Sequence, residues 1–485
     1  MVISPRAVGW VLGQFILALA GMMLIPLVYS IVIEGDDQHA FKWAIFVTLA
    51  VSGLMLALCR TRTRRELKPR EAILLVALIW IAICLFGALP FFFSPYFANF
   101  TDAMFESVSG FTTTGATVLE RVEELSRPIQ FWRCFSHWLG GMGIVLLGIA
   151  VLPLLGQGGM HLYRAEFSGA KSQLLSPRVA ETAKALWIVY LTLTLFLFLA
   201  LRAAGMDHFE ALCHTFSTLG TGGFSTRTAS IAGFHSPLIE YVIIVFMLLA
   251  GISFIQHFRL LVERRPRVVF EDYEIRYYLL IVVTATVVIT GMLIVQDQRT
   301  WEPAFRDALF QVASILSTTG FVSADYGAWY PLGQLILLIL MFIGGCTGST
   351  AGGLKVARVV LVGRVVNNEF HRVAEPEGVF AIHIDGDATP ERVIPGLLNL
   401  FYLTWLVNVV ATLLLTFMGV DVLTALSAVV ACMFNIGPGL AGVGPLENYG
   451  QLQDFSKWVL SICMLAGRLE FYTLLVIFTM GFWRR

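Results

Sequence analysis

The chain has 485 residues, of which 57% are hydrophobic and 14% charged, and its basic and acidic side chains balance at 33 each. Soluble domains are about 45–50% apolar and about 25% charged, so this composition all but excludes a soluble globular protein and indicates several membrane spans. The zero net charge gives no indication of nucleic-acid binding. Seven cysteines are scattered singly, without metal-type spacing, and are expected to be reduced.

Ten stretches are apolar and long enough to cross a membrane, which takes about 20 mostly apolar residues. In chain order they are 9–33, 43–59, 72–93, 131–156, 185–204, 238–260, 277–295, 331–350, 395–418 and 458–483. The first is too long for a signal peptide and lacks a small-residue cleavage site, so we interpret it as a helix. The pattern predicts an all-α membrane protein.

The segments between these spans differ in their content of Lys and Arg. One side of the predicted membrane has 23 such residues and the other has nine, while Arg468 lies inside the last span. Cytoplasmic loops are enriched in Lys and Arg, so the distribution predicts that both termini are cytoplasmic. Arg164, Lys171 and Arg178 in the 157–184 loop are candidates for docking a cytosolic partner, and contact with lipid headgroups explains them equally well.

Four segments on the opposite side share one layout, an apolar stretch too short to span followed by a polar turn that contains glycine. The glycines that align them are Gly115, Gly223, Gly320 and Gly437. Two residues before these stand Thr113, Thr221, Thr318 and Asn435. Thirteen residues before them stand Asp102, Glu210, Asp307 and Thr424, each followed by Ala.

We interpret each short stretch as a half-helix of about ten residues that enters the membrane, after which the chain returns as extended backbone. Three of the four open on an acidic residue, which is favourable at a helix N-terminus; attraction of cations at an outer mouth is an alternative role for these residues. Four loops around one axis would direct partially negative helix C-termini, backbone carbonyls and threonine hydroxyls toward a cation. Re-entrant turns that only pack helices together are the alternative, which the regular order of span, half-helix, turn and span argues against.

Once aligned, these segments resemble the TrkH/TrkG/KtrB family of potassium-uptake proteins, and TrkH/TrkG most closely. The resemblance covers the whole chain. Its most specific motifs are Thr112-TTGATV, Gly222-GFST, Ser317-TTGF and Asn435-IGPG. Further matches are Trp138-LGGMGI, Leu162-YRAE, Gly344-GCTGSTAGGLK and Gly467-RLE.

The resemblance implies that each loop takes the place of one subunit's selectivity filter in a tetrameric potassium channel. The ion-binding residues expected from it are Thr113, Thr114, Gly115, Thr221, Gly222, Gly223, Thr318, Thr319, Gly320, Asn435, Ile436 and Gly437. It implies two extra N-terminal helices in 1–69, a first pore repeat in 70–156, a cytoplasmic loop and second repeat in 157–262, a third repeat in 263–354, and a cytoplasmic loop and fourth repeat in 355–485.

The resemblance also implies an assembly and a location. It implies a homodimer in the bacterial inner membrane with one pore per subunit. It further implies a cytosolic ring of TrkA-type nucleotide-binding subunits that gates this pore. We expect K⁺ as the transported ion, no covalent cofactor and no enzymatic activity.

Two features below the expected filter are candidates for a gate. The first is a run that interrupts the eighth span, formed by Gly344, Gly345, Thr347, Gly348, Ser349, Thr350, Gly352 and Gly353. Such a run is a poor continuous helix; the resemblance implies an intramembrane gating loop, and close helix packing through small residues is the alternative.

The second candidate is Arg468, about ten residues into the last span, where a charge is costly and usually faces a cavity or a partner. The resemblance implies that it raises the barrier to cations in the closed state, and a buried structural ion pair is the alternative. Glu470 is expected to point to a different face of the same helix.

A potassium pore is the leading functional hypothesis. In the resembling superfamily, serine in place of the first filter glycine accompanies sodium passage, and here all four aligned residues are glycine. Asn435 and Pro438 depart from the pattern of the other loops, so we expect a looser fourth site. A sodium-permeable channel or an ion-coupled cation symporter is the alternative. A transporter of organic solutes is disfavoured because such folds usually contain two inverted repeats.

Overall fold

The computed structural model describes residues 4–34, 37–60, 68–151, 179–267, 271–376, 378, 380, 382–384, 387–388 and 393–483. The candidate docking residues Arg164, Lys171 and Arg178 lie outside the described residues. The regular secondary structure of the described residues is helical except for one antiparallel pair of two-residue strands, β1 (His383–Ile384) and β2 (Asp387–Ala388). The prediction of an all-α protein is therefore confirmed.

The α-helices of the described residues are numbered along the chain. In chain order they are α1 (Pro5–Tyr29), α2 (Gln38–Leu58), α3 (Pro69–Gly87), α4 (Leu89–Phe92), α5 (Phe100–Phe111), α6 (Arg127–Val151), α7 (Val179–Ala203), α8 (His208–Leu219), α9 (Pro237–Ala250), α10 (Phe254–Leu261), α11 (Tyr273–Val295), α12 (Trp301–Leu316), α13 (Pro331–Ile343), α14 (Val356–Ala374), α15 (Val393–Phe417), α16 (Val422–Met433), α17 (Asp454–Arg468), α18 (Tyr472–Leu475) and α19 (Met480–Trp483). A π-helical turn over Ser30–Glu34 extends α1.

Within the described residues, six helices are long and apolar enough to cross a membrane, namely α1, α2, α3 with α4, α7, α11 and α15. Their outer faces expose large apolar side chains such as Val28, Phe46 and Phe417, as lipid contact requires. The predicted span at 131–156 corresponds to α6, which is helical from Arg127 to Val151.

Two predicted spans are bent rather than straight. The chain turns by 103° between α9 and α10, so the stretch predicted as a span at 238–260 is broken into two helices. The backbone groups freed at this break find partners from a distant segment, because the Gly251 carbonyl accepts from Cys346 N at 2.8 Å and Phe254 N donates to the Gly348 carbonyl at 3.0 Å.

The last predicted span, 458–483, is also broken, so the expectation that Arg468 and Glu470 lie on one helix is wrong. The chain turns by 111° after α17, where Glu470 and Phe471 adopt positive φ angles of 56° and 40°. The helix therefore ends at Arg468 itself, and Glu470 belongs to the turn rather than to another face of the same helix. The predicted interruption of the eighth span is confirmed, because α13 ends at Ile343.

Four short helices, α5, α8, α12 and α16, have 12, 12, 16 and 12 residues. At about 1.5 Å per residue, none of them reaches across a hydrocarbon core of about 30 Å. They match the predicted half-helices. The prediction that Asp307 opens the third half-helix is wrong. Helix α12 begins six residues earlier, at Trp301, and has Glu302 in its first turn.

Each half-helix leads into a loop and then a short 3₁₀ turn. We name the loops by their residues: loop 1 (112–118), loop 2 (220–226), loop 3 (317–323) and loop 4 (434–440). The 3₁₀ turns that follow them are Val122–Glu124, Ser230–Phe234, Tyr326–Ala328 and Ala441–Val443. The half-helices are buried along their C-terminal parts, and most residues of the loops are buried as well.

Helices α16 and α17 approach so closely at Gly467 that a larger residue there tests their packing. A Cβ on Gly467 would lie 1.7 Å from the carbonyl oxygen of Met433, so Gly467→Ala must push two backbones apart. We expect a loss of about 1–3 kcal/mol, the usual cost of overpacking, measured as a lower melting temperature in detergent. Gly291→Ala on the lipid face of α11 is the control, because nothing lies within 4 Å of its Cβ position. Equal melting temperatures for the two variants would contradict this packing.

Candidate ion-conduction site

Each half-helix ends in the same left-handed turn. The residue two before the aligned glycine has a φ of 53° at Thr113, 54° at Thr221, 56° at Thr318 and 57° at Asn435. The amide of the next residue bonds to the carbonyl five residues earlier, at 2.8–2.9 Å in all four cases. This is the Schellman closure of a helix C-terminus. A β-branched threonine at positive φ costs about 1–3 kcal/mol, so its surroundings must enforce it.

The four aligned glycines also share one conformation, which other residues rarely adopt. Their φ angles are 80° at Gly115, 80° at Gly223, 78° at Gly320 and 100° at Gly437. A Cβ would be strained at each position whatever the space around it. The positions aligned by sequence are therefore equivalent in backbone conformation.

The loops contact one another in a closed cyclic order. A Cβ on Gly115 would lie 1.9 Å from the carbonyl oxygen of Gly222, and one on Gly223 would lie 2.1 Å from that of Thr319. The series continues from Gly320 to the Ile436 oxygen at 1.8 Å, and closes from Gly437 to the Thr114 oxygen at 2.6 Å. Each glycine is thus required where a carbonyl of the next loop approaches.

Residues of all four loops line one small cavity of about 80 Å³, including the four aligned glycines. The structure brings eight of the twelve predicted ion-binding residues together at this ring, namely the four aligned glycines and the residues whose carbonyl oxygens approach them, Thr114, Gly222, Thr319 and Ile436. The other four are the left-handed residues one position earlier in each loop, Thr113, Thr221, Thr318 and Asn435. Carbonyl oxygen ligands suit a weakly hydrated monovalent cation that must bind and leave quickly.

Two of the left-handed residues contact the glycine-rich segment 344–355 or α17 through their side chains. The Thr318 hydroxyl accepts a bond from Gly352 N at 2.6 Å. The Asn435 amide donates to Thr114 Oγ1 and to the Met464 carbonyl, both at 3.0 Å. Among the described residues, the buried Thr113 hydroxyl has no hydrogen-bond partner.

The glycine-rich segment lies against the C-terminal ends of three half-helices. The Thr350 hydroxyl donates to the Leu219 carbonyl at 3.0 Å, and a Cβ on Gly352 would lie 2.2 Å from the Phe434 oxygen. The two ends of the segment lie side by side, because Lys355 N donates to the Ile343 carbonyl at 2.9 Å. Positive φ angles of 75°, 76° and 77° occur at Gly344, Gly348 and Gly353.

Glu274, at the start of α11, holds this segment, and sequence reasoning missed it. Its Oε1 accepts bonds from Thr347 N at 2.7 Å, Thr347 Oγ1 at 2.9 Å and Ala357 N at 3.1 Å. The carboxylate thus fixes Thr347 of the segment and the first turn of α14, which directly follows it. Its only signal in the sequence is a carboxylate at the entrance of a predicted span, which is also common where no such role exists.

Arg468 reaches the same segment from the end of α17. Its Nη1 donates to the Thr350 carbonyl at 2.9 Å and its Nη2 to the Gly140 carbonyl at 3.3 Å, with 3% of the residue exposed. Within the described residues it forms no ion pair, so the alternative of a buried structural pair is not supported. Glu470 instead pairs with Arg358 at 3.0 Å.

The acidic residues near the half-helix starts are paired. Asp102 contacts Lys457 at 2.6 Å, Glu210 contacts Arg227 at 2.9 Å, and Asp307 contacts Arg299 at 2.8 Å. These pairs compensate the charges that an outer cation-attracting mouth would need.

At the start of α8, the hydrogen bond from Phe209 N lowers the pKa of Asp207, which keeps this capping carboxylate ionised.

Comparison with known proteins gives a consistent result along the whole chain. The model of the TrkH family, described as cation transport protein, matches residues 37–482. The Trk system potassium uptake protein TrkH of Escherichia coli K12 is 41% identical over 99% of both chains. The Trk system potassium uptake protein TrkG of the same organism is 32% identical over 95% of both chains.

A solved structure agrees with the fold. The crystal structure of the potassium transporter TrkH from Vibrio parahaemolyticus superposes with a TM-score of 0.91 at 38% identity, covering 99% of both chains. The chain therefore belongs to the TrkH family of cation transport proteins, a family of transporters and not of enzymes.

Proposed function

We propose that this chain takes up potassium across the bacterial inner membrane, with both termini in the cytoplasm and loops 1–4 as its selectivity filter. The observation that carries the proposal is the closed ring of glycine–carbonyl contacts around one cavity. Carbonyl oxygens there replace the hydration shell of the ion, and the C-terminal ends of four half-helices add negative partial charge. The potassium-uptake names of the relatives favour K⁺ over other monovalent cations.

The first test is cation uptake into proteoliposomes. We expect the wild-type protein to take up K⁺ and Rb⁺ in preference to Na⁺, without a pH gradient. Equal K⁺ and Na⁺ uptake would instead support a sodium-permeable channel. Uptake that requires a proton or sodium gradient would support a coupled symporter.

Gly115→Ser tests the filter directly. A side chain at this position meets the Gly222 carbonyl and displaces it from the ring. We expect the ratio of K⁺ to Na⁺ uptake to fall on the order of tenfold, which corresponds to ~1.4 kcal/mol of discrimination. Unchanged selectivity in a folded protein would count against the filter assignment.

Gly205→Ser is the matched control for that substitution. Gly205 also has a positive φ, of 97°, but nothing lies within 4 Å of its Cβ position. It therefore carries the same backbone strain without a clash. We expect its K⁺ to Na⁺ ratio to equal that of the wild type.

We further propose that the glycine-rich segment and Arg468 form the gate. Their support is the position of the segment across the ends of three half-helices and the direct bond from Arg468 to the Thr350 carbonyl. A guanidinium stays charged in proteins, so it opposes a cation that approaches the same carbonyls. Displacement of the segment would remove the obstruction and draw Thr350 away from Arg468.

Arg468→Ala tests the electrostatic part of the gate. We expect K⁺ uptake in the absence of any partner subunit to rise several-fold, because both the positive charge and the bond to Thr350 are lost. Arg299→Ala, which removes an arginine of the outer surface, is the control and is expected to leave uptake unchanged. Unchanged or lower uptake by a normally expressed Arg468→Ala protein would contradict the gate.

Glu274→Gln tests the anchoring of the segment. The amide replaces a carboxylate that accepts three bonds, so the closed arrangement is weakened by about 1–3 kcal/mol. We expect higher basal K⁺ uptake with an unchanged K⁺ to Na⁺ ratio, because the filter is untouched. Glu302→Gln on the outer end of α12 is the control. A changed ratio with constant uptake would show that Glu274 acts on the filter instead.

For the assembly, we propose a homodimer regulated by cytosolic TrkA-type nucleotide-binding subunits. The support is the Trk system named for the relatives, since a system implies further components. Measurement of K⁺ uptake with and without the partner subunit, at defined nucleotide concentrations, tests this regulation. Uptake that never responds to the partner would contradict it.

A further inference from the structure

A fully buried ion pair lies behind loop 1. Arg133 Nε contacts Glu106 Oε1 at 2.7 Å, and the two side chains are 1% and 0% exposed. Burial of two charges is costly, and replacement of such a pair by apolar side chains is often neutral or stabilising. A pair kept at this depth therefore requires an explanation other than stability.

Both partners hold the part of loop 1 that leaves the ring. The Glu106 carboxylate accepts bonds from Thr117 Oγ1 at 3.0 and 3.1 Å and from Val118 N at 3.1 Å. Arg133 Nη2 donates to the same Thr117 hydroxyl at 3.3 Å. Thr117 is only two residues beyond Gly115, so these bonds fix the chain directly after the aligned glycine.

Arg133 also reaches loop 2 at the equivalent position. Its Nη1 donates to the Ser225 carbonyl at 3.3 Å, and its guanidinium lies 4.0 Å from the centre of the Phe224 ring. Ser225 is two residues beyond Gly223, as Thr117 is beyond Gly115. One side chain thus sets the separation of two neighbouring loops.

The other half-helices have weaker versions of this bracing. Nine residues before the aligned glycines stand Glu106, His214, Gln311 and Ala428. His214 Nε2 bonds to Ser225 Oγ at 2.9 Å, and Gln311 Nε2 donates to Ser323 Oγ at 3.3 Å. Three half-helices therefore brace a hydroxyl two or three residues beyond the ring. Among these braces in the described part of the chain, the one at loop 1 is an ion pair.

We propose that Glu106 and Arg133 are positioning residues that hold loops 1 and 2 at the spacing required to prefer K⁺ over Na⁺. The inference rests on the filter proposed above. Neither residue contributes a carbonyl to the ring, although Arg133 lines the same cavity. Glu106 holds Thr117 and Val118, and Arg133 holds Thr117 and Ser225. Loss of the pair lets the neighbouring carbonyls move, and a smaller cation is then coordinated as well as K⁺.

Glu106→Gln is the principal test, read as K⁺ and Na⁺ uptake into proteoliposomes. We expect the K⁺ to Na⁺ ratio to fall on the order of tenfold while K⁺ uptake persists, and a loss of structural stability alone would lower both fluxes together. Asp102→Asn is the matched control, because Asp102 lies in the same half-helix and is also paired, with Lys457. Its ratio is expected to stay at the wild-type value.

Thr117→Val keeps the proposal testable if Glu106→Gln does not fold. It leaves the ion pair intact and removes the hydroxyl that both partners contact. We expect a smaller fall of the ratio in the same direction. The inference would be overturned if whichever of the two variants folds keeps the wild-type ratio of K⁺ to Na⁺ uptake.

The two proposals fail in different ways. If Gly115→Ser changes the K⁺ to Na⁺ ratio and Glu106→Gln does not, the filter stands and the positioning role is wrong. If Gly115→Ser also leaves the ratio unchanged, the filter assignment itself is wrong.

Discussion

The close approach of neighbouring loop backbones is the constraint on which the rest of this structure depends. At each of four points a carbonyl of one loop occupies the space where a side chain of the next would begin, so only glycine fits. Extended backbone at membrane depth must be enclosed by protein or face a water-filled cavity. The half-helices, their left-handed ends and the surrounding long helices all serve to enclose this ring.

Near the glycine-rich segment, carbonyl oxygens bind a cationic side chain of the protein itself. Arg468 has carbonyl oxygens of Thr350 and Gly140 as its partners, and the carbonyl-rich ends of half-helices are also what would attract a permeating cation. In the proposed gate, a fixed guanidinium and a mobile cation would therefore compete for one region of negative potential. Glu274 adds a hydrogen-bonded anchor outside that region, so the charge and the anchoring of the segment can be altered separately.

Sequence was most informative where one residue type is required. The aligned glycines mark positive φ angles and close backbone contacts. Together with the residues two, twelve and thirteen positions before them, they identified the four loops. The bends after Ala250 and Arg468 were missed because the flanking stretches are apolar on both sides. At the first bend, the partners of the free backbone groups lie about a hundred residues away, at Cys346 and Gly348. The Glu106–Arg133 pair was missed because Arg133 lies outside the aligned segments.

The fourth loop shows that a departure from the repeat need not loosen it. Asn435 replaces threonine, but its amide bonds to both Thr114 and Met464. Tyr449 adds two hydrogen bonds. Its hydroxyl donates to the Gly437 carbonyl at 2.7 Å, and its backbone N–H donates to the Thr117 carbonyl at 2.8 Å. Loop 4 is thus fastened to loop 1 through the same residue that Glu106 and Arg133 brace. Because Thr117 is held by Glu106 and Arg133 on one side and by Tyr449 on the other, the position of loop 1 depends on the residue that also fastens loop 4.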